Sequence, residues 1–132
     1  MIGIDTNVLV RFVVVDDADQ SRAARDFIEK SCTAEQPGYV NRVVLCEMIW
    51  VLSSGYRYDR STIIARIERL LAASELAIEG ADDVRDALED YRAGAIGFTD
   101  ALIARTNQRL GCTTTVTFDR KAARHSAMTP LA

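Results

Sequence analysis

Histidine is almost missing from this chain of 132 residues, which holds one, His125. A single imidazole in the polar C-terminal segment argues against histidine general-base chemistry and against a histidine-rich metal site, and it is expected at the surface. Cysteine is sparse and unpatterned. Cys32, Cys46 and Cys112 are odd in number and form no CxxC or zinc-type spacing, which excludes a disulfide framework and suits reduced thiols in a cytosol. No apolar run approaches the ~18 residues of a membrane span. The opening MIGIDTNVLV lacks the basic stretch and long apolar core of a secretory signal. The expectation is a soluble, cytoplasmic protein. Positive charge is also short: the formal net charge is -3, and Lys30 and Lys121 are the two lysines. Without a global basic field, any nucleic-acid binding must rest on a local patch. No internal repeat, linker or low-complexity segment interrupts the chain, so residues 1–132 read as a single domain.

What is present is ordinary globular material, 48% hydrophobic and 27% charged, at a length that buries roughly two-thirds of its unfolded surface. Short apolar runs alternate with longer amphipathic ones. IGID is a brief strand that breaks at Asp5-Thr6-Asn7, a cluster suited to capping a helix. A polar loop, VDDAD, precedes a helical stretch SRAARDFIEK. GYVN, behind Pro37, is a second strand feeding the apolar helix VVLCEMIWVL, which stops near Ser54-Gly55. RSTIIARIERLLAAS places Ile63, Ile64, Ile67, Leu70 and Leu71 at helical spacing. That face exceeds what one small core must cover, so a dimer surface or partner groove stands beside the plainer expectation of core packing. LAIEG predicts a third strand. DDVRDALEDYRAG and TDALIARTNQRLG predict helices closed by Gly94 and Gly111, and CTTTVTFD predicts a Thr-rich strand ending in an acid. Strands interleaved with helices of ten or more residues predict an α/β fold with a parallel sheet covered by helices on both faces.

Four acids stand out against this pattern. Glu47 sits inside VVLCEMIWVL, where its helical neighbours Val43, Val44, Trp50 and Val51 offer no cation, so its carboxylate is expected to point inward. Asp5 and Asp119 end strands, and in a parallel sheet the carboxyl ends of the strands build the site. Asp100 begins a helix beside Ile96, Gly97, Ile103 and Ala104, again without a cation. Each acid has a bland explanation: Asp5 as a helix cap, Asp100 as a dipole partner, Asp119 as a cap or as the partner of Arg120 or Lys121. If instead the four gather, their repulsion calls for a divalent ion, and an all-oxygen donor set suits Mg²⁺ or Mn²⁺.

MIGIDTNVLVR, VLCEMIWVL, GFTDALIA and TVTFDRKA, in that order along nearly the whole chain, resemble the PIN-domain family, and within it the VapC-type toxins of bacterial and archaeal toxin–antitoxin pairs. The resemblance implies a three-layer α/β/α PIN-like domain with a central parallel sheet of four or five short strands. It also implies a Mg²⁺-dependent endoribonuclease, the toxin of a type II toxin–antitoxin system, leaving 5′-phosphate and 3′-hydroxyl ends and neutralised by a small VapB-type antitoxin; a homodimer is expected. Carried over by position, the catalytic and metal-binding acids are Asp5, Glu47, Asp100 and Asp119, with Asp5 and Asp100 as principal ligands of Mg²⁺ (or Mn²⁺) and Asp119 serving a second ion or the attacking water. Thr6, Asn7 and Thr117 are supporting residues that fix these carboxylates. Gly97 departs from the pattern, since many relatives carry another acid there. Arg11, Arg42, Arg120 and Arg124 are candidate contacts to the RNA backbone. Two other readings stay open: a haloacid-dehalogenase-like phosphohydrolase, weakened because Asn7 stands where that chemistry needs a second acid, and a non-catalytic binding module whose acids are caps.

Overall fold

The structure, a computed structural model, describes residues 1–14 and 18–132. The first three residues of the VDDAD loop therefore lie outside the described residues. The chain divides into two compact units, Met1–Glu79 and Gly80–Ala132. Together the described residues form an α/β fold with six α-helices.

In the first unit the elements are β1 (Ile2–Gly3), α1 (Thr6–Val13), α2 (Asp19–Ser31), β2 (Gly38–Val40), α3 (Arg42–Trp50), α4 (Arg60–Ala72) and β3 (Leu76–Ile78). The three strands form one parallel sheet in the order β1-β2-β3, with Gly3 opposite Tyr39 and Tyr39 opposite Ala77. Gly38 makes this pairing close: a Cβ there would stand 3.1 Å from side-chain atoms of both Ile4 and Leu76. Parallel strands need crossovers, and the helices supply them while burying one apolar face each. Leu9, Ile28, Leu45, Met48, Ile63 and Ile67 are all but inaccessible.

Local chemistry sets the helix starts. Asn41 caps α3, its side-chain oxygen accepting from Val44 N at 2.9 Å. Asp59 caps α4 through Thr62 N at 2.9 Å, and hydrogen bonds from Thr62 and then Ser61 hold its carboxyl below the usual range. α3 does not stop cleanly; it widens into a π-helical turn over Val51–Gly55, close to the expected end. The apolar face of α4 is spent on the core, with Ile63, Ile64, Ile67 and Leu70 buried, so core packing is the outcome for that stripe.

The second unit contains α5 (Ala81–Arg92), α6 (Phe98–Arg109), β4 (Thr115–Thr117), a 3-10 turn (Ala122–Arg124) and β5 (Met128–Pro130). α5 packs on α6, and Tyr91 meets the buried Phe98 edge-on at 6.2 Å. Gly94 and Gly111 follow the two helices with φ of 91° and 97°, the left-handed exit that glycine permits. β4 and β5 form a separate two-stranded parallel pair, Thr115 opposite Met128 and Thr117 opposite Pro130. The strand β5 was not expected. Its proline at the last position carries no strand signal, because a proline cannot donate to a ladder.

Candidate active site

In the first unit the parallel sheet brings Asp5 to the carboxyl end of β1 and opens α3 just beyond β2. Asp5 occupies the N-cap position of α1 with extended backbone (φ -80°, ψ 161°), yet its side chain makes no cap hydrogen bond. The backbone carbonyl accepts from Val8 N and Leu9 N instead. The bland explanation of Asp5 therefore fails: the carboxylate is exposed and uncommitted.

Glu47 corrects an expectation. It is exposed, not interior. α3 turns Val44, Leu45, Met48 and Ile49 inward and leaves Val43 and Trp50 outside at 67% and 68% exposure, so two of the apolar neighbours of Glu47 share its solvent-facing side. A helix that is apolar nearly all round carries little information about which face is buried. Thr6 Oγ1 donates to Glu47 Oε1 at 3.2 Å. Asp5, Thr6, Asn7, Arg11 and Glu47 line one depression of about 410 Å³, closed on its apolar side by Val10 and Val51. Asn7 lines the same depression. Arg42 is tied to Glu79, its backbone N at 3.0 Å from Oε1 and its Nε at 3.4 Å from Oε2.

In the second unit the remaining two acids act on each other. Asp100 lies in the first turn of α6, half-buried. Burial, and then the negative charge of Asp119, push its carboxyl above the ordinary range. Asp119, just past β4, accepts from Lys121 N at 2.8 Å and Ala122 N at 3.2 Å through Oδ1, so its capping explanation is correct as far as it goes. Thr117 supports it through the main chain: Asp119 N donates to Thr117 Oγ1 at 3.0 Å. Gly97, the N-cap of α6, has ordinary extended backbone, and a Cβ there would lie 3.9 Å from Asp100 Oδ2.

The acids thus come as a pair in each unit. Among the described residues no group of three or more His, Cys, Asp or Glu side chains that could hold a metal ion is found.

His125 is the second correction. Its side chain is 6% exposed, with Nε2 2.7 Å from Asp90 Oδ2 and Nδ1 accepting from Ala127 N at 3.0 Å. Asp90 also takes both Nε and Nη2 of Arg105 at 2.8 Å. Burial raises the Asp90 carboxyl, but hydrogen bonds and charge from Arg105 and His125 outweigh it and hold the group low. Sequence reasoning missed this cluster because its members lie on three separate elements, and no spacing joins them. The three cysteines are free thiols.

A family model described as the PIN domain matches residues 2–127 and so runs through both units. A curated relative, the VapC ribonuclease of Aquifex aeolicus (strain VF5), is 24% identical over 118 residues, which cover 89% of this chain and 87% of that protein.

Proposed function

Because the chain belongs to the PIN-domain family, a family of nucleases, we propose that it is a Mg²⁺-dependent endoribonuclease and the toxin of a type II toxin–antitoxin pair. On the same reading residues 1–132 are one α/β/α domain of the family's kind. The observation that carries the proposal is that Asp5 and Asp100 make no side-chain hydrogen bond or ion pair among the described residues. Carboxylates at helix starts are normally capped or paired. These two are left available.

The donor chemistry fits a divalent ion. Asp100 ionises against the charge of Asp119 with no cation to offset it, and the candidate ligands are all oxygens, the preference of Mg²⁺ and Mn²⁺. Asp5, Asp100, Glu47 and Asp119 are the acids proposed to hold it. Such an ion, when bound, offsets phosphate charge and lowers the pKa of water. The chain's own contributions are distinct. Thr6 fixes one oxygen of Glu47 and leaves Oε2 clear; Lys121 N and Ala122 N fix Oδ1 of Asp119 and leave Oδ2 clear. Each carboxylate is thereby oriented with an oxygen in reserve, which limits the reorganisation needed on binding. Arg11, Arg120 and Arg124 are proposed to contact the RNA backbone; Arg42 is occupied by Glu79.

The proposed partner is a small antitoxin. In the first unit, a groove of about 500 Å³, lined by Ile2, Ile4, Val8, Ala24 and Phe27 and bordered by Asn7, Arg11 and Gln20, is proposed to seat an amphipathic helix of that partner. Expression of the chain alone is expected to arrest growth, and co-expression of its antitoxin to relieve the arrest. Cleavage of single-stranded RNA by the purified protein is the direct test. Wild-type activity should require Mg²⁺ and fall at least about 100-fold in Asp5→Asn and in Asp100→Asn. Undiminished cleavage by both variants would overturn the assignment.

A further inference from the structure

The cations of the second unit are not evenly distributed in their commitments. Arg85 pairs with Asp82, Arg92 with Glu89, Arg105 with Asp90, and Arg109 with Asp83 and Asp86. All of these precede β4. After β4 come Arg120, Lys121 and Arg124, and none of the three forms an ion pair among the described residues. Arg120 and Arg124 line a depression of about 330 Å³ together with Pro130.

Two residues before Arg120 stands Phe118, 75% exposed and the most exposed aromatic residue among those described. Val116, in β4 just before it, is 58% exposed. Phe118 adjoins Asp119, which the proposed function places in the acidic machinery. A benzyl side chain held in water costs hydrophobic free energy, and here nothing in the fold recovers it. An exposed aromatic ring within six residues of three cations that form no ion pair among the described residues is the composition of a single-strand platform, in which a base stacks on the ring and phosphates meet the cations.

We propose that Phe118 is a substrate-binding residue that stacks an unpaired nucleobase of RNA, with Arg120, Lys121 and Arg124 engaging the adjoining phosphates. This rests on the ribonuclease reading and names the residue that contacts an unpaired base. A duplex cannot offer a base face to the ring without unpairing. Phe118 thus selects unpaired regions, and the cations supply affinity without regard to sequence.

The test separates this proposal from the activity itself. Fluorescence anisotropy in EDTA, where no cleavage occurs, would compare a labelled RNA oligonucleotide with an abasic strand of equal length and charge. Wild type should prefer the base-bearing strand. Phe118→Ala should weaken binding of that strand by roughly 5- to 150-fold, the range that base–aromatic stacking supplies, and should leave the abasic strand unaffected. Phe118→Tyr should restore the preference. Circular dichroism melts should show Phe118→Ala folded as wild type, given the exposure of the ring. An unchanged preference in Phe118→Ala, or equal losses on both strands, would overturn the stacking role and leave the ring to a protein partner. A wild type that shows the Phe118-dependent preference yet cleaves no RNA with Mg²⁺ would sink the nuclease reading and keep the platform.

Discussion

Asp100 ionises against two resistances, its own burial and the charge of Asp119. A carboxyl whose folded pKa is raised binds protons more tightly in the native state, so native stability falls as pH rises through that raised value. At neutral pH the ionised group is a liability that only a cation offsets. Asp100→Asn is therefore expected to raise the melting temperature at neutral pH while abolishing cleavage, and the gain should vanish in melts at a pH low enough to protonate Asp100. A variant less stable than wild type at neutral pH would show that the charge is already compensated. Residue chemistry of this kind was partly legible. The lack of helical cations around Asp100 was plain in the sequence, whereas the exposure of Glu47 was not, because an all-apolar helix does not declare its buried face. Asp5 looked like a cap from composition; only the backbone of α1 reveals that the cap bond goes unmade.

A polar knot joins three elements of the second unit. Asp90 of α5 receives Arg105 of α6 and His125, which lies between the 3-10 turn and β5. His125 in turn accepts the Ala127 amide, so the imidazole also shapes the turn that launches β5. Removing it leaves a largely buried acceptor short of one donor and frees that turn. His125→Ala is expected to cost about 1–3 kcal/mol in chemical denaturation. A loss within a few tenths of a kcal/mol would show that Arg105 alone suffices. The low Asp90 carboxyl contributes stability above its unfolded pKa, and that contribution is lost as pH falls through the folded value. Element boundaries followed from local rules wherever a cap or glycine set them, as at Asn41, Asp59, Gly94 and Gly111. β5 did not, since MTP acquires strand geometry only by pairing with β4. The surface position expected for His125 failed for a related reason: its partner Asp90 is remote in sequence, and burial of a polar ring depends on partners.

At the scale of the whole chain, the modest acidity of the protein required any RNA contact to be local, and the uncommitted cations of 120–124 supply such a locality. No helix among the described residues is long and apolar enough to cross a membrane. The family was readable because each of the four motifs combines an acid with an apolar or hydroxyl context, and the family model covers residues 2–127. The central claim is that these acids hold a divalent ion. Electron paramagnetic resonance of Mn²⁺ titrated into the purified protein tests it most directly. Saturable binding in wild type that disappears in Asp5→Asn and in Asp100→Asn, with both variants folded, is the predicted result. Equal Mn²⁺ binding by wild type and both variants, or none by wild type at millimolar ion, would contradict it.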